Sequence, residues 1–296
     1  MRIAVTGTSG QVAMALRERG TLAGHEVITL GRPDLDLANP ALVKFALKGV
    51  KPDAIVSAAA YTAVDKAESE PSLAHVVNGE GAVAVSLAAK RLGVPLVHVS
   101  TDYVFDGNLT RPYREDDLAA PTGAYGASKL AGERGVLETY HEGSAVVRVA
   151  WVFSPFGANF VKSMLQLAGG RDEVSVVSDQ IGNPTSAFDI ADGILKVAAN
   201  LAASEDMGLR GTFHMTTRGE TSWADFAEAI FAASAALGGP FADVKRITSA
   251  EYPTVAARPY NSRLDCEKIA RTHGVKLPDW QASLEMVIAR LQLGQL

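Results

Sequence analysis

"RIAVTGTSGQVAMAL" (residues 2–16) decides the fold. An apolar run, RIAVT, is followed at once by Gly7 and Gly10 and then by an amphipathic helical pattern. A strand that reverses tightly into a helix needs residues without a β-carbon at the turn, and the helix start aims backbone N–H groups and a partial positive charge at an anion. The spacing is G-x-x-G-x-x-A, with Ala13 where helix and strand pack closely. Glycines after a strand also serve turn geometry alone, so the pattern is weak in isolation. At the first strand of a chain that alternates strands and helices, it marks a dinucleotide site.

Outward from that turn the alternation continues. Strands are expected at 2–6, 26–30, 53–57, 95–100 and 145–150, with helices at 11–20, 41–49, 72–92 and 125–141 between them. Nearly uniform apolar strands joined by helices are the pattern of right-handed βαβ units, a parallel sheet covered on both faces. After residue 150 the rhythm loosens: helices are expected at 159–170, 187–201 and 281–293, a helix opened by Ser222 with Asp225 three residues on, and short strands at 174–177 and 212–217. "EYPTVAARPYNSRLD" (251–265) looks like a linker. The expected fold is α/β, a Rossmann-type doubly wound parallel sheet with a smaller, interleaved C-terminal substrate-binding lobe. Residues 1–150 form the dinucleotide-binding domain and 151–296 mainly the lobe, with about 187–217 returning to the sheet.

Composition narrows the function. The 296 residues are 47% hydrophobic and 21% charged, enough for a substantial core. No apolar stretch is long enough to span a bilayer and no export signal opens the sequence, so a cytoplasmic protein without membrane contact is expected. A net charge of −5 argues against a nucleic-acid surface. The single cysteine, Cys266, allows no internal disulfide and, beside Asp265 and Glu267, has no activating cation.

The end of the second strand, "TLGRPDLD", tells nicotinamide cofactors apart. An acidic residue there accepts from a ribose 2′-hydroxyl, whereas an arginine pairs with the 2′-phosphate of NADP. Gly31 and Arg32 favour NADPH, with NADH as the alternative if Arg32 is only a turn residue; Asp36 and Leu37 are expected near the adenine. In "GAYGASKLAGE" (123–133), Tyr125 and Lys129 share a helix face. Lys129 would lower the phenol's pKa and bond the cofactor's ribose. The fourth strand ends at Thr101, on the carboxyl edge of the sheet where open α/β folds bind ligands, and its hydroxyl can hold a substrate oxygen beside Tyr125.

These motifs carry a resemblance. "TGTSGQVA", "AAAYTAVDKAESEP", "STDYVFDG", "YGASKLAGE", "RVAWVF", "DQIGNPT" and "ARPYNSRLD" stand in the order found in the dTDP-4-dehydrorhamnose reductases, within the extended short-chain dehydrogenase/reductase superfamily, which the chain resembles nearly end to end. The resemblance implies Thr101, Tyr125 and Lys129 as catalytic residues. It implies a cofactor shell of Gly7, Gly10, Gln11, Val12, Ala58, Ala59 and Ala60. Thr62, Val64, Asp102, Tyr103, Trp151, Gln180, Asn183 and Arg258 would contact the nucleotide sugar, with Thr185 nearby and Arg258 at its diphosphate. Asn78 would organise Lys129 through water. The implied reaction is NADPH-dependent reduction of a 4-keto sugar nucleotide, without a metal. Two departures stand out. Ala13 replaces the usual glycine, and Ala15 and Phe188 stand where some relatives place glutamates that join two subunits through a divalent ion, so a monomer or a dimer without metal is expected. Two other readings stay open: an NADP-binding regulatory subunit resembling that of methionine adenosyltransferase, and another nucleotide-sugar reductase or epimerase.

Overall fold

The computed structural model describes residues 1–294. Its first half runs β1 (Arg2–Thr6), α1 (Gln11–Leu22), β2 (Glu26–Leu30), α2 (Pro40–Val50), β3 (Ala54–Ser57), α3 (Val64–Ser69), α4 (Pro71–His75), α5 (Gly81–Leu92), β4 (Leu96–Thr101), α6 (Ala124–Tyr140) and β5 (Ser144–Val149). The second half adds β6 (Val152–Phe153), α7 (Phe160–Ala168), β7 (Glu173–Val177), β8 (Ile181–Gly182), β9 (Thr185–Ser186), α8 (Ala187–Ala203), β10 (Gly211–His214), β11 (Thr221–Ser222), α9 (Trp223–Ala236), β12 (Asp243–Ile247), α10 (Glu267–His273) and α11 (Trp280–Gln292).

Six parallel strands form the main sheet in the order β2-β1-β3-β4-β5-β10. The order reverses between β1 and β3, and the crevice at their carboxyl ends is the ligand position of doubly wound folds. Because side chains alternate across the pleat, the strands feed two cores. Ile3, Val5, Val56, Val97, Val147 and Val149 face α1 and α8. Ala4, Ile55, Leu96 and Val146 face α2, α5 and α6. Strand β10 and helix α8 come from beyond residue 150, β10 as the edge strand beside β5 and α8 against one face of the sheet.

The structure departs from the sequence reading in three places. The single helix expected over 72–92 is interrupted by a π-helical turn, Val76–Glu80. Within that turn the Asn78 amide pairs with both backbone groups of Tyr61 (2.8 and 3.0 Å) and with Ser128 Oγ (2.9 Å). Second, β12 is a parallel partner of β7 that its exposed, charged sequence conceals. Third, residues 256–265 are no linker but an ordered strap. Asn261 Nδ2 donates to the carbonyls of Leu109 and Arg111 (both 2.8 Å), Ser262 N to Ile181 O (2.8 Å), and Tyr113 and Asp265 bond through their backbones (2.8 Å). No helix of the described residues is long and apolar enough to cross a membrane.

Candidate active site

Gly7 has φ +99°, which an L side chain resists, and its N–H closes on Leu30 O at 2.6 Å. Gly10 is the N-cap of α1 without a side-chain cap, and a β-carbon there would meet no protein atom within 4 Å. The start of α1 therefore has no side-chain cap of its own, and Gly10 leaves room beside it, as a pyrophosphate requires. Ala58 and Ala59 donate their N–H groups to buried Thr6 Oγ1 (3.1 and 3.0 Å), which holds the β3 loop beside Gly7; Ala60 is the next, half-buried residue. The Gln11 side chain turns to Val152 O (3.3 Å), Ser154 Oγ (2.7 Å) and Asn159 Nδ2 (3.1 Å), pinning the loop to the second lobe. Val12 packs on the core. Arg32 is exposed and makes no ion pair with the described residues. Of the two residues expected near the adenine, Asp36 caps the N–H of Ala38 (3.0 Å), and the Leu37 side chain is buried in the core under Gly81. Its apolar side chain gains more from that core than from a solvent-facing crevice.

Thr101, Tyr125 and Lys129 converge at the carboxyl end of β4. Helix α6 approaches this edge closely because Gly126 lies against the carbonyl of Tyr103, where a β-carbon would collide. The Thr101 hydroxyl donates to Asp102 Oδ1 (3.0 Å), accepts from Tyr103 N (3.3 Å) and bonds the Tyr125 phenol. Lys129 Nζ donates to Val99 O at 2.6 Å. Burial lowers this lysine to about 8, against a rise from the charge of Glu133 one turn on. The expectation that Lys129 depresses the Tyr125 pKa does not hold for these groups. Burial pushes the phenol up to about 12, with Thr101 pulling it back and Asp102 adding to the rise. Desolvation of the phenolate is the largest cause, and Lys129, turned to a backbone carbonyl, is not among the groups that shift it. Asn78 holds Ser128, whose hydroxyl donates to Tyr125 O at 2.7 Å, and so steadies the turn of α6 that carries the tyrosine.

Next to this trio, Asp102 is 4% exposed, and burial raises its carboxyl to about 6 against hydrogen bonds from the Ser262 and Thr101 hydroxyls. Tyr103 meets Tyr125 edge-on at 5.6 Å. Trp151 holds φ +45°, stacks on Trp223 at 3.5 Å and lies against Gly182, where a β-carbon would collide with the indole. A bulky residue kept in the left-handed region indicates a position fixed by its surroundings. Thr62 is exposed and Val64 half-buried at the start of α3. Gln180 donates to Ser249 Oγ (2.9 Å). Asn183 is the clear departure from the expected sugar contacts. Its Nδ2 donates to Gly219 O (2.6 Å) and its Oδ1 accepts from Leu264 N (3.1 Å), so both ends of the amide bind backbone. Thr185 Oγ1 is likewise spent on Asn183 O (2.9 Å). Arg258 pairs with Asp65 (2.7 Å).

Sequence reasoning missed Asp65, Ser262 and Trp223. All three lie about 70 to 190 residues from their partners in the chain, so no local pattern reveals them. Ala15 and Phe188 are buried in the core between α1 and α8. No group of three potential metal ligands occurs among the described residues. Burial raises the Cys266 thiol to about 11, and it accepts from Thr216 N (3.2 Å), a structural environment.

Residues 1–293 match the family described as RmlD substrate binding domain. A dTDP-4-dehydrorhamnose reductase of Sinorhizobium fredii is 47% identical, covering 99% of this chain and 98% of that one. That of Escherichia coli (strain K12) is 38% identical over 98% of each. Among solved structures, a dTDP-4-dehydrorhamnose reductase of Clostridium acetobutylicum superimposes with TM-score 0.91 at 37% identity, covering 99% of this chain and 100% of that one. The reductase of Bacillus anthracis in complex with NADP gives 0.89 at 35%, covering 98% and 99%. Full-length matches at this identity, on a chain whose tyrosine, lysine and threonine meet beside a glycine loop, leave one assignment: the chain belongs to the RmlD family of dTDP-4-dehydrorhamnose reductases.

Proposed function

We propose that the chain reduces the 4-keto group of dTDP-6-deoxy-L-lyxo-4-hexulose to dTDP-L-rhamnose with NADPH. The observation that carries this is the meeting of Thr101, Tyr125 and Lys129 at the sheet edge, one crevice away from the Gly7–Gly10 loop. The crevice residues fit the cofactor: Gly10 leaves its β-carbon position open, the start of α1 offers uncapped N–H groups, and Arg32 is an exposed cation at the end of β2. NADPH bound there supplies a hydride to the carbonyl carbon.

The remaining chemistry belongs to the side chains. With its pKa near 12, Tyr125 is protonated at neutral pH yet remains more acidic than a secondary alcohol, so it gives its proton to the oxygen as negative charge develops there. Thr101 holds the phenol oxygen in place. Lys129 uses one of its three N–H donors on Val99 and keeps two for the cofactor's ribose and the phenol. Trp151, on its Trp223 support, offers an apolar face to a hexose ring. The chain acts as a monomer, or as a dimer joined without a metal ion; dissociation of a dimer by chelator would refute this.

The test is NADPH oxidation with the dTDP keto sugar. Turnover by the natural chain, a clear preference over NADH, and loss of several orders of magnitude on Tyr125→Phe with the fold retained are expected. NADPH binding without oxidation favours a regulatory role, turnover only with other nucleotide sugars a different reductase, and preference for NADH removes Arg32 from cofactor choice.

A further inference from the structure

Asp65, in the first turn of α3, reaches a part of the chain about 190 residues away and grips it twice. Its Oδ1 accepts from Ala256 N (3.1 Å) and its Oδ2 from Arg258 Nη2 (2.7 Å). An exposed ion pair contributes little to stability, and Asp65 is half exposed, so stability does not account for a double grip. The other edge of the guanidinium is more telling. Arg258 Nη1 is buried and has no hydrogen-bond partner, an arrangement that is costly unless an acceptor arrives. The helix that carries Asp65 is itself tied to the start of α6, where Ala124 N donates to Glu68 Oε1 (2.8 Å) beside Tyr125. A guanidinium locked along one side by a carboxylate therefore holds a spare donor where the strap meets α3, the helix tied to the start of α6.

We propose that Asp65 is a positioning residue for the anionic part of the substrate: it holds Arg258 and the start of the strap so that Nη1 meets a diphosphate oxygen. This rests on the nucleotide-sugar reading above. The sign of the effect separates positioning from simple charge. If Asp65 only adds negative potential, its removal strengthens binding of an anion; if it positions Arg258, its removal weakens binding.

The experiment is calorimetric binding of thymidine diphosphate to the NADP-loaded protein in four forms: natural, Asp65→Asn, Arg258→Met and the double variant. Asp65→Asn is expected to weaken binding about tenfold, Arg258→Met by at least as much, and the double variant no further than Arg258→Met. In turnover, Asp65→Asn raises KM for the keto sugar and leaves kcat close to the natural value. Unchanged or tighter binding by Asp65→Asn overturns the proposal, as does an equal loss in the Arg258→Met background, which would place the effect elsewhere. Failure of the natural protein to bind thymidine diphosphate removes the nucleotide-sugar reading itself, whereas failure confined to the Asp65 comparison removes only the positioning role.

Discussion

Lys129→Met should make the cofactor-free protein more stable while abolishing turnover. Lys129 is 3% exposed and titrates at about 8 instead of its ordinary 10.5. One pH unit of displacement corresponds to about 1.4 kcal/mol, so the buried ammonium costs the fold about 3 kcal/mol at pH 7. The folded state binds this proton less tightly than the unfolded chain does. The cost is therefore complete below about pH 8, shrinks as pH rises toward 10.5, and is gone above it. Methionine is similar in length and buries no charge, but it forfeits the hydrogen bond to Val99 O, worth about 1 kcal/mol. The net gain is about 2 kcal/mol at pH 7, falling to zero or slightly below near pH 10.5. Urea unfolding of both proteins at pH 7 and pH 10 measures it. A variant less stable than the parent at pH 7, or a gain equal at both pH values, would refute the reasoning that desolvation is stored at this lysine.

Two further outcomes follow from local geometry. Gly10→Ala should leave the melting temperature nearly unchanged, because the added methyl meets no protein atom, while NADPH affinity falls by about 1–3 kcal/mol through crowding of the phosphates; titration of cofactor fluorescence checks this, and unchanged affinity would show the loop to be a mere turn. Asn183→Ala should destabilise by about 3 kcal/mol, since the N–H of Leu264 and the carbonyl of Gly219 both lose a buried partner; thermal melts measure the loss, and NADPH affinity should persist because Thr101, Tyr125 and Lys129 are untouched.

What the sequence disclosed follows from which forces act locally. The sheet strands were legible because burial on both faces makes them uninterrupted apolar runs, as in Ile3 to Val5 and Ala54 to Val56. Tyr125 and Lys129 were legible because helical spacing alone puts them on one face. Other features depend on distant partners. The π-turn at Val76–Glu80 carries Asn78, which bonds Tyr61 and Ser128, and nothing in "VVNGE" announces it. Asn183 looked like a ligand contact because a polar residue in a motif gives no sign that Leu264 and Gly219 will claim its amide. The strap carries no periodicity, and its order comes from acceptors 150 residues away.

The interleaving of the two halves bears on how the chain is made. The face of the sheet that carries Ile3, Val5, Val56, Val97 and Val147 is covered jointly by α1 and by α8, which spans Ala187–Ala203. During synthesis the first five strands leave the ribosome with part of that face bare, and it stays wet until about fifty more residues have emerged. A nascent chain stalled near residue 150 is therefore a natural client for holding chaperones, and the N-terminal half expressed as a fragment should aggregate instead of yielding a detachable nucleotide-binding module.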